Sequence, residues 1–253
     1  MNRRNWTRDE LLVCFNFYCY TPFGRLHRNN PGVIRLAETL GRTPNAVAMK
    51  LVNFASFDPA HKQRGVKGLA NASQQDKEIW LEFNTTPNKL AEQSEEAFLR
   101  LPSMPGRFQD EKFELPTGPT EAQLTRPMRL VQRFFQRVVL TSYNFACAFC
   151  GLDLPGLLNA SHIIPWKDNE VLRADPRNGL CLCCLHDRAF DRGLMAVNSE
   201  YRMLLSNQLK LNANVLLHKA AFLDLKGKPI NLPEKFLPHQ SSLKYHLTSV
   251  FKY

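Results

Sequence analysis

The stretch NASHIIPWKDNEVLRADPRNGLCLCCLHDRAFDRGL, residues 159–194, decides the fold of the C-terminal half of the chain. Residues 160–164 are short, apolar and β-branched, and residues 180–184 form a second strand-like run. Residues 185–194 follow directly and have the composition of a helix. Two short strands and a helix predict a small ββα unit here, and the fold class of the whole chain is predicted to be α+β.

The cysteines of this region indicate a metal site. The chain has seven cysteines, and most of them fall within residues 147–184, whereas the cysteines of a secreted disulfide scaffold are spread along the chain. Cys147-x-x-Cys150 is followed roughly 30 residues later by a second group of ligand-type side chains. This spacing is typical of a structural zinc site that holds together a module with a small core.

Two different pairs of residues could complete the zinc site. Cys183-x-x-His186 gives three sulfur ligands and one nitrogen, whereas Cys181-x-x-Cys184 gives four sulfurs and leaves His186 for catalysis. We favour Cys183 and His186. Buried, reduced cysteines that bind no metal are the remaining interpretation.

Three phrases carry a resemblance to a known family: ASHI-x-PW at 160–166, NGL at 178–180 and HDxAFDxGL at 186–194. In this order and spacing they resemble the HNH endonucleases, specifically the prokaryotic restriction-type branch. The resemblance covers roughly residues 133–253. It implies the ββα-metal fold, in which a two-stranded ribbon and a helix hold one divalent ion against the scissile phosphate.

The same resemblance implies a role for each site residue. His162 is the expected general base, Asn178 fixes the loop and orients that imidazole, and His186 or Asp187 holds the catalytic ion, expected to be Mg²⁺. Phosphodiester hydrolysis needs a base for the water and a cation for the phosphate, and an imidazole that titrates near neutrality suits the first task.

One position departs from the family pattern. Many HNH enzymes carry Asp or His as a metal ligand directly before the base histidine, whereas this chain has Ser161. Asp187 and Asp191 lie one helical turn apart and are the carboxylates best placed to substitute, because hard cations prefer oxygen ligands. If His186 binds zinc, Asp187 takes the catalytic-metal role; otherwise His186 is itself the third HNH residue.

The N-terminal region is predicted to be helical and similar to a helix-turn-helix. Helices are expected over 6–20 and 33–40, and Gly41 is a natural stop before a helix capped by Thr43. GRTPNAVAMKL resembles the second half of homeodomain-like trihelical units, whose last helix enters the major groove. That resemblance makes three residues candidates for contacts with DNA bases: Asn45, Lys50 and Asn53. A purely structural helical hairpin is the alternative.

The charge distribution favours a polyanionic partner. The net charge is +10, and residues 1–75 and 126–253 are basic while residues 76–125 are acidic. Lys and Arg that neutralise phosphates supply most nonspecific nucleic-acid affinity. Arg129, Arg133 and Arg137 form one stripe on a helix expected over 128–143, and this stripe is expected to lie along the phosphate backbone or simply in solvent.

Prolines, glycines and acidic residues between the two basic regions predict a linker. The expected division is a helical DNA-recognition domain at 1–101, a linker at 102–127 and an HNH nuclease domain at 128–253. No long apolar run and no signal-like segment occurs, so a cytoplasmic protein without membrane contact is expected.

The function that these observations favour is a metal-dependent endonuclease acting on double-stranded DNA, in restriction or defence. Because one HNH site hydrolyses one strand, a double-strand break predicts a homodimer. The alternative from another class is a non-catalytic helix-turn-helix regulator with a zinc-stabilised domain. Toxin-type or RNA-directed nucleases share the chemistry and differ in substrate.

Overall fold

The structure is a computed structural model and describes residues 4–65, 73–102, 125–212 and 215–253. Helices and strands alternate only in the C-terminal half of the described ranges, and the N-terminal half is helical. The helices are α1 (Arg8–Tyr20), α2 (Pro31–Leu40), α3 (Pro44–Phe57), α4 (Pro59–Gln63), α5 (Gln74–Thr85), α6 (Pro87–Leu99), α7 (Arg126–Ser142), α8 (Cys184–Asp191), α9 (Leu216–Ala221) and α10 (Gln240–Ser249). The strands are β1 (Leu158–His162), β2 (Gly179–Cys183), β3 (Met195–Val197) and β4 (Met203–Leu205).

The caps that the sequence predicts at the N-terminal helices are confirmed. Thr7 and Glu10 form a reciprocal capping box at the start of α1, and the Thr43 hydroxyl accepts a hydrogen bond from the Ala46 N–H at the start of α3. Gly41 ends α2 with φ at 62°, a left-handed conformation that glycine adopts without steric cost. Local signals therefore set the start of α1, the end of α2 and the start of α3.

Two residues predicted to read DNA bases are instead part of the core, so that prediction was wrong for them. The Lys50 ammonium lies 2.8 and 3.0 Å from the two carboxylate oxygens of Asp76, and the Asn53 amide donates to the same carboxylate at 2.8 Å. All three side chains are buried. A buried charge must be paired, and this cluster ties α3 to α5 rather than facing a groove. Asn45 is exposed.

The arginine stripe on α7 is also corrected at one position. Arg137 is buried, with its guanidinium 4.2 Å from the centroid of the Tyr20 ring, so it packs between α7 and α1 instead of lying along a phosphate backbone. Arg129 is exposed and Arg133 is half-buried. The stripe is therefore not a uniform solvent face.

Helix α7 belongs to both hydrophobic cores. Phe134 and Val138 are buried in the core formed by the N-terminal helices, whereas Phe135 and Val139 are buried in the core of the ββα unit. Side chains on adjacent positions of a helix point about 100° apart, so one helix can serve two cores.

Most of the predicted linker at 102–127 lies outside the described residues. Within the described part, α6 ends at Leu99 and α7 begins at Arg126.

The ββα unit predicted from the 159–194 stretch is present. Strands β1 and β2 pair antiparallel, with His162 opposite Gly179, and α8 follows β2 directly. A Cβ on Gly179 would lie 2.5 Å from a methyl carbon of Val139 and 2.8 Å from the Phe135 ring. This glycine therefore lets α7 approach the ribbon closely, which places the Phe135 ring beside His162. In the described part of the chain no helix has the length and hydropathy needed to cross a membrane.

Lys235 fastens the C-terminal segment to the N-terminal core. Its side chain is fully buried, and its ammonium donates to the carbonyl oxygens of Tyr18, Cys19 and Thr21 at 2.7–2.9 Å. These carbonyls lie at the end of α1, where helix carbonyls lack partners within the helix. Burial lowers the pKa of Lys235 to about 8.

Replacing Lys235 with methionine keeps most of the stem volume but removes the ammonium that three carbonyls share, of which only the Tyr18 carbonyl keeps another donor, the Thr21 N–H. We expect Lys235→Met to lower the free energy of unfolding by about 2–4 kcal/mol in urea titrations. Lys244→Met, at an exposed lysine on α10, is the matched control and should change it by less than about 0.5 kcal/mol. Equal stability of the two variants would contradict the capping role.

Candidate functional site

Four side chains of the ββα unit form a compact group of metal ligands. The ligand atoms of Cys147, Cys150, Cys183 and His186 all lie within 4.8 Å of one another. The His186 Nδ1 atom is 3.2 Å from the Cys183 sulfur and 3.6 Å from the Cys147 sulfur. Three sulfurs and one imidazole nitrogen suit a tetrahedral zinc ion, so the residues present fit structural zinc.

The second nitrogen of His186 fixes which nitrogen faces the cluster. The Nε2 atom lies 2.8 Å from the Ala221 carbonyl oxygen, and a carbonyl can only accept, so Nε2 carries the proton. The lone pair on Nδ1 then points at the sulfurs. In zinc sites, a backbone carbonyl commonly accepts from the N–H of a ligand histidine on the side away from the metal and so fixes the orientation of the ring.

The thiol of Cys150 resists losing its proton when no cation is present. Burial, with the neighbouring Cys147 sulfur, raises the pKa of Cys150 to about 12. A divalent ion reverses this effect, because it stabilises the deprotonated form of every sulfur ligand.

Of the two pairs that the sequence left open, the structure groups Cys183 and His186 with Cys147 and Cys150. Cys181 is buried within β2, and the Cys184 thiol is exposed and donates to the Leu157 carbonyl at 3.3 Å. Neither belongs to the four-residue cluster. Because His186 does belong to it, its ring is committed to the cluster and not to the cleft described next.

A cleft of about 970 Å³ lies on the other side of the ribbon and α8. It brings together groups from distant parts of the chain, including three of the predicted site residues, His162, Asp187 and Asp191. Its rim is basic. The cationic residues that line it are Lys167, Arg188, Arg192 and Lys252.

His162 is held by two contacts that constrain its ring differently. The imidazole stacks on the Phe135 ring with 3.7 Å between centroids and 10° between planes, which fixes the ring plane. Its Nε2 atom lies 3.1 Å from the Arg173 carbonyl oxygen, which fixes the rotation within that plane. The carbonyl accepts, so Nε2 is protonated and the lone pair is on Nδ1. Burial lowers the pKa of His162 to about 4.

Asn178 acts on the backbone that follows His162. Its side-chain oxygen accepts from the Ile164 N–H at 2.9 Å, its amide donates to the Ile164 carbonyl at 3.1 Å, and its own carbonyl accepts from Ile163. The residue is buried. Asn178 therefore locks the loop after β1 through the main chain and acts on the imidazole only through that loop.

Carboxylates from α8 form the opposite wall of the cleft. The Asn159 amide donates to the Asp187 carboxylate at 2.8 Å, which leaves the rest of that carboxylate for other partners. Burial and the neighbouring Asp187 charge raise the pKa of Asp191 to about 6. Ser161 is buried and lines the same cleft, and within the described ranges its hydroxyl has no hydrogen-bond partner. The two carboxylates give the cleft oxygen ligands of the kind that a hard cation prefers.

A family comparison fits this geometry. Residues 147–198 match the family model of the HNH endonucleases. The match contains the four-residue cysteine and histidine cluster, both strands of the ribbon and α8, and it indicates a nuclease domain. No curated protein matches the chain.

Several contributors to the cleft were missed from the sequence. Asn159 and Arg173 lie in the quoted 159–194 stretch, but their roles depend on main-chain and side-chain geometry that no spacing rule reveals. Lys252 comes from the end of the chain. The Lys252 backbone N–H donates to the Gly193 carbonyl. Gly193 has φ at 70°, and a Cβ at this position would lie 2.1 Å from the carbonyl oxygen of Val250.

The zinc content of variants at the adjacent residues Cys183 and Cys184 distinguishes the two possible pairs of zinc ligands. We expect the purified protein to carry about one zinc per chain, Cys183→Ser to lose it, and Cys184→Ser to keep it. Inductively coupled plasma mass spectrometry measures the metal directly. Loss of zinc from Cys184→Ser with retention in Cys183→Ser would overturn the assignment.

Proposed function

We propose that this protein is a divalent-metal-dependent endonuclease that hydrolyses phosphodiester bonds of double-stranded DNA, with His162 as the general base. The observation that carries the proposal is the cleft that joins the His162 imidazole to the α8 carboxylates within the stretch that matches the HNH endonucleases. The two other supports are the four cationic residues that line the cleft and the net charge of +10.

His162 is positioned to take a proton from water, and its lowered pKa makes it a weaker base than an imidazole that titrates near neutrality. Its lowered pKa keeps the imidazole neutral at physiological pH, and its Nε2–H donates a hydrogen bond to the Arg173 carbonyl. Nδ1 is left as the acceptor, and the Phe135 ring keeps it from rotating away. A base that is already neutral and oriented loses no reorganisation energy when the water is activated.

Asp187 and Asp191 are proposed to hold the catalytic ion, for which Mg²⁺ fits the oxygen ligands. When bound, such an ion neutralises charge on the phosphate and stabilises the leaving oxygen. Asn159 orients the Asp187 carboxylate for this task, and Asn178 keeps the loop after β1 in place. Asp187 thereby takes the role that the sequence left open between it and His186.

Duplex DNA is the proposed partner, with the lysines and arginines that line the cleft on its phosphates. Asn45, Arg129 and Arg133 stay proposed DNA contacts outside the cleft. A homodimer that cuts both strands, a cytoplasmic location and a role in restriction or defence against foreign DNA complete the proposal. Magnesium dependence and the base role of His162 belong to it as well.

Plasmid cleavage tests the proposed activity. We expect the protein to convert supercoiled plasmid to nicked or linear forms with Mg²⁺ and to do nothing in EDTA. His162→Ala should lower the rate by on the order of 10²–10⁴-fold, because the base is lost. His27→Ala, at an exposed histidine far along the chain, is the matched control and should cleave normally.

Unmodified and cytosine-modified plasmids run in parallel show whether base modification directs the enzyme. Binding of plasmid without cleavage, equal in wild type and His162→Ala, would contradict the nuclease and favour a non-catalytic DNA-binding regulator.

The pH profile tests the protonation state of His162. Only the neutral imidazole accepts a proton, and its pKa of about 4 means that it becomes protonated only as the pH falls toward 4. With saturating Mg²⁺, which offsets protonation of Asp191, kcat should therefore hold down to about pH 5. A fall in kcat centred near the ordinary histidine value of 6.5 would contradict the buried, neutral base.

A further inference from the structure

The N-terminal helical region contacts the loop that orients His162. The carbonyl that receives the His162 Nε2 proton belongs to Arg173, in the segment between β1 and β2. Asn88, in the first turn of α6, binds this segment on both sides of Arg173. Its amide donates to the Glu170 carbonyl at 2.5 Å, and its side-chain oxygen accepts from the Ala174 N–H at 2.8 Å.

One asparagine side chain thus closes a turn of five residues and sets where the Arg173 carbonyl points. The turn is also held from within. The Arg173 guanidinium donates to the Trp166 carbonyl at 3.1 Å and lies 4.8 Å from the centroid of the Trp166 ring, and that ring meets the His162 imidazole edge-on at 5.4 Å. Backbone amides rarely stay unpaired when they are inside a fold, so removal of Asn88 forces the turn to rearrange.

We propose that Asn88 is a positioning residue for His162, acting through the Arg173 carbonyl to fix the tautomer and rotation of the imidazole. This inference rests on the proposed function for its catalytic consequence, but its structural part does not. It also gives the N-terminal helices a second role, because a change in α6 reaches the base through a single side chain.

The chain offers a matched control for this contact. Asn84, at the end of α5, makes a second amide contact from the same helical region to the same segment, accepting from the Arg177 guanidinium at 2.6 Å. Arg177 is held independently by two bonds to Asp175, and among the described residues its other hydrogen bonds are with Asn84 and His239 rather than with the Arg173 turn. Asn84→Ala therefore removes a contact between the same parts without loosening the partner of His162.

We expect Asn88→Ala to lower kcat by on the order of 10- to 100-fold with little change in KM for DNA, because the base is misplaced while the phosphate contacts remain. Asn84→Ala should leave kcat unchanged. A direct readout uses selectively ¹⁵N-histidine-labelled protein, with His162→Gln to assign the resonance. The wild type should show protonated Nε2 and bare Nδ1 at pH 7, and Asn88→Ala should show a mixture of tautomers.

Unchanged His162 nitrogen shifts in Asn88→Ala, or equal kcat in the two alanine variants, would overturn the inference. If Asn88→Ala does not fold, Asn88→Asp keeps the acceptor for the Ala174 N–H and loses the donor to Glu170, and a shifted tautomer ratio is expected there too. If the wild type cleaves no DNA, the proposed function fails, while the nitrogen shifts still decide whether Asn88 positions His162.

Discussion

The stacking of the Phe135 ring on the His162 imidazole joins the candidate reacting centre to the helix that both cores share. Phe135 lies on α7, whose neighbouring residues Phe134 and Val138 are buried among the N-terminal helices. Gly179 leaves the space that this approach needs. The position of the base thus depends on the packing of the whole chain, and the small ββα unit does not set it alone.

Helix α8 carries residues of two sites, the cysteine and histidine cluster and the cleft. His186 points its Nδ1 atom into the cysteine cluster, and the adjacent Asp187 lines the cleft with Asn159. Consecutive residues of a helix point in different directions, so a single turn carries a nitrogen that faces the sulfur cluster and a carboxylate that faces the cleft. A zinc ion at the cluster would then fix the start of α8 and with it the direction of the Asp187 carboxylate.

Local signals predicted much of this structure, and long-range contacts account for the failures. Capping residues and Gly41 predicted the start of α1, the end of α2 and the start of α3. The 159–194 stretch predicted the ribbon and α8. These features depend on neighbours in sequence. Lys50 and Asn53 looked like base-reading residues from type and helix position. Their partner, Asp76, lies on another helix, and no pattern within α3 reveals a buried carboxylate. The same limit hid Asn88 and Arg173, whose importance lies in main-chain contacts.

Chemical rescue shows whether the His162 imidazole activates the attacking water. His162→Gly leaves a space beneath the Phe135 ring that free imidazole can fill. The account predicts that this variant is inactive in Mg²⁺ alone and regains plasmid cleavage as imidazole is added, with a rate that follows the neutral form of the added base. Cleavage by His162→Gly at the wild-type rate without imidazole would contradict the account.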